Sequence, residues 1–364
     1  MGLRSLLGGR GRARADREAA VRLAAAEAGE DDPLFDAALV TDRAAALFVA
    51  IQRAWSAEDV TALRRLVGPE LMLEWDARLA DFRGKGWRNQ VDVLDGPDVR
   101  YVGVTNRAQD VEDRVVVQLT ARLQDVVVDR YGDVIPSDEG EIARISEFWT
   151  LGKRGGEWVV VSIEQEREGA HHLSDPLVAA PEGDDVRLRA DAVMELATAD
   201  GVPAGQVGEL LSPGFSGTAR AAAMDLSLVD GRFAPDVLAT AVGEVVDAWA
   251  QAIDGPDEPL AARTTPQALR SLLYPIATGR DRLVIRGAEV QAVTIVAVTP
   301  GPPPEVRLQL DVAGVQYVED RDTTEVVAGS KRRRTKTRQV WTLRLADDPR
   351  RPWRVSDAAG VIPR

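Results

Sequence analysis

Two hydrophobic periods alternate along the chain, one of three to four residues and one of two, and each half runs through them in the same order. Leu47, Ile51 and Trp55, with Phe48 beside them, mark one face of a helix, and Asp42 stands where a cap would start it. Ser56 and Asp59 have the spacing of a capping box ahead of a second helix over Leu63, Leu66 and Val67. Pro69 suits the first turn of a third helix, which faces inward through Leu71, Trp75, Leu79 and Phe82. Period two then takes over. Val115, Val117, Leu119, Ala121 and Leu123 alternate mainly with Gln118, Thr120, Arg122 and Gln124, which predicts a long strand with one buried face. Shorter strands are expected around Trp149 and from Trp158 to Ile163, joined by the turn Arg154-Gly155-Gly156-Glu157, and earlier ones from Trp87 to Val93 and from Val99 to Asn106.

The second half repeats the plan. Leu238, Val242, Val245, Trp249 and Ile253 lie on one helix face, and Val306, Leu308, Leu310 and Val312 alternate with Arg307, Gln309 and Asp311. Trp55 and Trp149 stand 94 residues apart, Trp249 and Trp341 stand 92 apart, and Asp129-Arg130 is echoed by Asp320-Arg321. Similar spacing of helix and strand landmarks reads as one supersecondary plan used twice. Helices followed by strands with no helix between them give an α+β class with antiparallel sheets.

The 364-residue length fits two domains. We expect a basic amino-terminal tail and leading helix over 1–41, a first domain over 42–168, an acidic connector rich in Ala, Gly and Pro over 169–224 with a short helix from Asp185 to Ala199, and a second domain over 225–364. The net charge of −13 falls as −1, −7, −5 and zero over those four stretches, so the two domains differ electrostatically. With no cysteine, disulfides, thiolate metal sites and a thiol nucleophile are excluded. No apolar run is long enough to span a bilayer. Gly8, Gly9 and Gly11 interrupt any helix in the arginine-rich start, whose plain reading is a mobile tail.

The run Phe48, Ile51, Gln52, Ala54, Trp55, Asp59, Leu63, Pro69 and Glu70, together with Asn89 and the ending FWTL…EW…SIEQ, resembles the carboxy-terminal domain of the mitochondrial inner-membrane translocase subunit Tim44 and its bacterial relatives. The second half looks like a more distant copy. The resemblance implies two tandem cystatin-like (nuclear-transport-factor-two-like) cone domains, each with helices followed by a curved antiparallel sheet. It also implies a non-enzymatic adaptor or scaffold without a cofactor, associated with protein interaction and peripheral attachment at membranes. The family's long chaperone-recruiting region has no counterpart here, so translocase motor function is not carried over. The expected location is the cytoplasm, or the inner face of the cell membrane.

Three groups of residues are candidates for chemistry. Lys331, Arg332, Arg333, Arg334, Lys336 and Arg338 put six cations in eight residues, expected on a hairpin or loop where they would meet an acidic protein or an anionic membrane surface. Nucleic acid is not an expected partner, because no aromatic residue interleaves these cations and the chain is acidic. Arg4, Arg10, Arg12 and Arg14 would add a second anionic contact, and the acidic loop from Pro136 to Glu141 stands opposite in sign at the equivalent place of the first half. Tyr101, Asp125 and Asp129 would supply acid–base groups if the first cone held a pocket, the alternative being a small-molecule-binding or isomerase- or dehydratase-like function. His171 and His172 are the only histidines, with Asp175 nearby; on an extended segment their side chains point to opposite faces, so no metal site is expected from them.

Overall fold

A computed structural model describes residues 3–136, 142–199, 203–204, 218–276, 280–299 and 301–363, with side chains from residue 15 onward. The chain divides into two compact units between Asp184 and Asp185. The stretch 169–224 is therefore shared, its first part folding with the first unit and its helix with the second.

The first unit opens with α1 (Leu3–Asp31), whose backbone is helical through the early glycines. A glycine inside a helix costs only about 1 kcal/mol relative to alanine, so the expected break does not occur. Val21, Ala24, Ala25 and Ala28 form the buried stripe of α1. Asp32 caps a 3₁₀ turn, Pro33–Phe35, and Asp36 caps α2 (Ala37–Ser56) by accepting from Ala38 N at 2.9 Å and Leu39 N at 3.1 Å. The helix thus starts well before Asp42, which lies inside it. Asp59, not Ser56, caps α3 (Val60–Leu66); the Ser56 hydroxyl exchanges hydrogen bonds with the backbone of Val91. Pro69 begins α4 (Pro69–Lys85), as expected.

The strands follow as β1 (Arg88–Thr105), β2 (Arg114–Val128), a short β3 (Val134–Ile135), β4 (Ile142–Arg154) and β5 (Glu157–Gln165). The sheet order is β1-β2-β4-β5, antiparallel throughout, with β3 on the end of β2. The two expected early strands are one strand, β1, whose pairing with β2 shifts register at Val93/Asp95, Asp95/Asp98 and Tyr101/Gly103. Gly96 makes the kink feasible: its φ is 89°, and a Cβ there would meet the Thr120 carbonyl oxygen at 2.9 Å.

The second unit has α5 (Asp185–Thr198), α6 (Ala219–Ser227), a 3₁₀ turn Gly231–Phe233, α7 (Pro235–Ala252), α8 (Glu258–Ala261) and α9 (Pro266–Leu273). Its sheet runs β6 (Asp281–Thr299), β7 (Glu305–Asp320), β8 (Val326–Leu345) and β9 (Trp353–Ala359) in sequential antiparallel order. Each unit is therefore α+β on the cystatin-like plan, helices first and sheet second.

The two cores repeat specific contacts. Trp149 on β4 donates its indole N–H to Glu147 at 2.9 Å, and Trp341 on β8 donates to Gln339 at 2.9 Å, each acceptor lying two residues back on the same face. Trp158 on β5 donates to the Leu34 carbonyl at 2.8 Å and meets Phe35 edge-on with ring centroids 5.3 Å apart. Trp353 on β9 donates to the Arg232 carbonyl at 2.8 Å and meets Phe233 in the same way at 5.2 Å. Both units also bury cations, Arg232 beside Asp230 in the second and Lys153 in the first. Lys153 on β4 pairs with Asp32 and, at 2.6 Å, with buried Asp113, while its ammonium lies 4.6 Å from the Phe35 ring centroid.

Removing the ammonium while keeping the stem, as in Lys153→Met, strands Asp113 in the core. The expected cost is about 3 kcal/mol, measured by urea unfolding; a loss below about 1 kcal/mol, the range of exposed pairs, would show that water already screens the cluster.

Candidate functional site

At the end of strand β5 Ile163 packs against the core while Glu164, beside Phe148 on the opposite face of the sheet, is also buried, and the chain then folds into a 3₁₀ turn, Gly169–Leu173. Consecutive side chains on a 3₁₀ turn diverge by about 120°, not 180°. His171 and His172 consequently reach the same carboxylates, which corrects the opposite-face expectation. His171 Nε2 lies 3.0 Å from Glu164 Oε2, and His172 Nε2 lies 3.2 Å from Glu164 Oε1. On the other side, Asp175 Oδ2 lies 3.0 Å from His171 Nδ1 and 3.1 Å from His172 Nδ1. The ring centroids are 4.0 Å apart.

Two devices hold this turn in place. Arg17 of α1 reaches across to donate to three backbone carbonyls, Nε to Val102 at 3.0 Å, Nη1 to Asp175 at 2.8 Å and Nη2 to His172 at 2.8 Å. Gly169 lies against Phe148 so closely that a Cβ would fall 2.6 Å from the ring, so no side chain fits there without moving the aromatic. Burial works against a charged His171, but the hydrogen bonds to Asp175 and Glu164 outweigh it and raise its pKa to about 9. His172 is raised for the same reasons, with His171 opposing. Burial likewise disfavours the Asp175 carboxylate, and the two imidazoles overcome it, holding Asp175 down at about 2.

The residues expected to line a pocket do not meet. Tyr101 faces the core of the first unit from β1, opposite Val117, and its hydroxyl has no hydrogen-bond partner among the described residues. Burial, and then the charge of Asp36, pushes its pKa up. Asp125 is exposed near the other end of β2, where it accepts from Asn89, which in turn accepts from the Trp55 indole at 2.7 Å. Asp129 closes the following turn by accepting from Tyr131 N at 2.8 Å and Asp133 N at 3.1 Å. Asp125 and Asp129 are thus positioned for surface and turn roles.

The basic run 331–338, expected on a loop, lies within β8. The reason is its own period of two: Thr335, Thr337 and Gln339 turn inward, while Arg334, Lys336 and Arg338 turn outward beside the acids of neighbouring strands. Gln339 donates to Thr337 at 3.0 Å and Thr337 to buried Gln316 at 3.1 Å, a polar ladder that continues from Trp341. Outside, Arg334 pairs with Glu289 at 2.8 Å and Lys336 and Arg338 share Asp311 at 2.9 and 3.1 Å, while Lys331 pairs with Glu319 over the ring of core residue Tyr317. Arg332 and Arg333 are exposed and form no ion pair among the described residues. The side chains of Arg4, Arg10, Arg12 and Arg14, and the acidic loop 137–141, lie outside the described residues.

Arg17→Ala removes all three tethers and is expected to cost on the order of 2–3 kcal/mol, with amide exchange at 169–175 accelerating before the rest of the first unit. Arg17→Lys should not restore protection, because one ammonium cannot span three carbonyls. Unchanged exchange in Arg17→Ala would show that the turn holds itself.

No curated protein matches the chain in sequence. Among solved structures, the intermembrane-space region of the chloroplast protein ARC6 is 13% identical, with 34% of this chain and 95% of that one covered and a TM-score of 0.28. An Ntf2-like protein involved in plasmid conjugation is 10% identical, with 86% of this chain and 93% of that one covered and a TM-score of 0.23. The family comparison is confined to the first unit, begins within α1 and stops at the end of β5, before the histidine turn. Over residues 21–165 the chain carries a Tim44-like domain.

Proposed function

We propose that the protein is a non-enzymatic adaptor that binds a protein partner, in the cytoplasm or at the inner face of the cell membrane. The Tim44-like domain supports a protein-interaction role associated with membranes. What supports the non-enzymatic part is the dispersal of the candidate acid–base groups of the first unit, together with the large side chains at the centre of each core. Phe48 and Trp149 meet at 5.5 Å in the first unit, fully buried, and Trp249 and Trp341 are fully buried in the second. An isomerase-like cone needs an open apolar cavity with an ionisable group at its base, and Tyr101, Asp125 and Asp129 are dispersed over core, surface and turn. Recognition on this reading takes place on the outside. The second unit is a divergent copy of the first, as its matching tryptophan and phenylalanine contacts support.

The outer face of β8 is the preferred contact. Its cations interleave with Glu289 and Asp311, which suits a protein of matching charge pattern better than a uniformly anionic lipid surface. Among the described residues no helix is long and apolar enough to cross a membrane.

The test is capture of partners from native lysate with the intact chain and with an Arg332→Glu/Arg333→Glu variant, alongside sedimentation with phosphatidylglycerol vesicles. The adaptor reading expects one protein recovered stoichiometrically by the intact chain, bound about tenfold more weakly by the variant at low salt, and no vesicle binding. Vesicle binding that falls with salt and with the substitution would replace the protein partner by the membrane; background capture without vesicle binding would overturn both.

A further inference from the structure

The geometry points to a divalent transition-metal site at Glu164, His171 and His172, with Asp175 as the outer support of both imidazoles. One donor atom from each of the three ligands lies within 4.8 Å of the others. The Glu164 oxygens stand 3.0 and 3.2 Å from the two Nε2 atoms. Metal–ligand bonds of about 2.0–2.1 Å in a tetrahedral shell put neighbouring donors roughly 3.4 Å apart, within a few tenths of an ångström of these two carboxylate–imidazole separations.

The far side of the rings supplies the second argument. Histidines that bind metal usually donate their other ring N–H to a carboxylate, which fixes the tautomer and aims the ligand nitrogen. Asp175 Oδ2 does this for both rings at once, at 3.0 and 3.1 Å from the two Nδ1 atoms, leaving both Nε2 atoms directed at Glu164. Charge supplies the third. Two carboxylates with two neutral imidazoles sum to −2, which one dication neutralises. The site is also enclosed and braced. Glu164, His172 and His171 keep only 4%, 12% and 17% of their side-chain area exposed, while Arg17 fixes the backbone carbonyls of His172 and Asp175.

Two imidazoles and one carboxylate favour zinc and its first-row neighbours over magnesium or calcium, which take all-oxygen shells. Three protein ligands leave the remaining position to water. The ion would tie the 3₁₀ turn to the end of β5. Glu164 lies within the stretch 21–165 that matches the Tim44-like domain, and both histidines lie just beyond it.

The experiment uses the full, tag-free chain, stripped with EDTA and titrated with Co²⁺, then with Zn²⁺, with Mg²⁺ as control. The expected result is a visible d–d band of low-coordinate cobalt, saturating at one ion per chain and displaced by zinc, together with a zinc-dependent rise in melting temperature. His172→Ala and Glu164→Gln should abolish the band, with far-ultraviolet circular dichroism reporting that each is folded. Asp175→Asn, which keeps all three ligands, should weaken binding about 10- to 100-fold. The absence of both band and thermal shift in the intact chain overturns the site, and this readout does not depend on any variant folding. Binding unchanged in a His171→Ala/His172→Ala chain overturns it equally.

Discussion

A buried indole usually finds an acceptor for its N–H, and the paired strand tryptophans of the two units do so in matching ways, whereas the buried helix indole of Trp249 has no acceptor among the described residues. On each central strand the acceptor comes from the side chain two residues back, Glu147 for Trp149 and Gln339 for Trp341. On each last strand it comes from a carbonyl in the 3₁₀ turn that precedes the long helix, Leu34 for Trp158 and Arg232 for Trp353. The last strand is thereby latched to the start of the helical layer, with Phe35 or Phe233 filling the corner. The choice of acceptor differs in kind. Burial raises the pKa of Glu147, although the indole and Gln165 oppose that shift, whereas Gln339 serves the same geometry without a charge and continues into a ladder of neutral donors and acceptors.

Periodicity made the helices over Leu47 to Trp55 and Leu238 to Ile253 legible, and so the long alternating strands, because a half-buried element writes its burial into its spacing. It failed where two signals competed. At 331–338 the density of cations read as a loop, although Thr335 and Thr337 already alternate with Arg334, Lys336 and Arg338; neighbouring strands supply the carboxylates that make the outer face tolerable. At 88–105 the pattern is interrupted because the strand is bulged, so one element read as two. Asp36 lost to Asp42 as a helix start because caps are common residues and only the phase of the helix selects between them.

The histidine turn shows a different limit. His171, His172, Asp175 and Glu164 lie within a dozen positions, so the donor set was visible in the sequence. Their convergence was not, because it depends on a 3₁₀ turn in place of extended chain, and that turn is imposed from afar. Arg17 is 155 residues from His172 in sequence, and Gly169 is fixed by the ring of Phe148. Local spacing carries no trace of such contacts. Tyr101 and Asp125 illustrate the converse: both sit on strands of one sheet, yet the antiparallel register separates them along it.

Both sheets begin on an edge strand whose pairing is broken three times, β1 at Val93, Asp95 and Tyr101 and β6 at Arg286, Val290 and Ile295. A smooth edge is a template for any strand of similar pattern, and here the most abundant similar strands belong to the same polypeptide, tethered at an effective concentration of millimolar order. A bulged edge twists away and offers no long register to copy. In a chain that contains the same architecture twice, the irregularities leave each first strand little continuous register for a strand of the other sheet to copy.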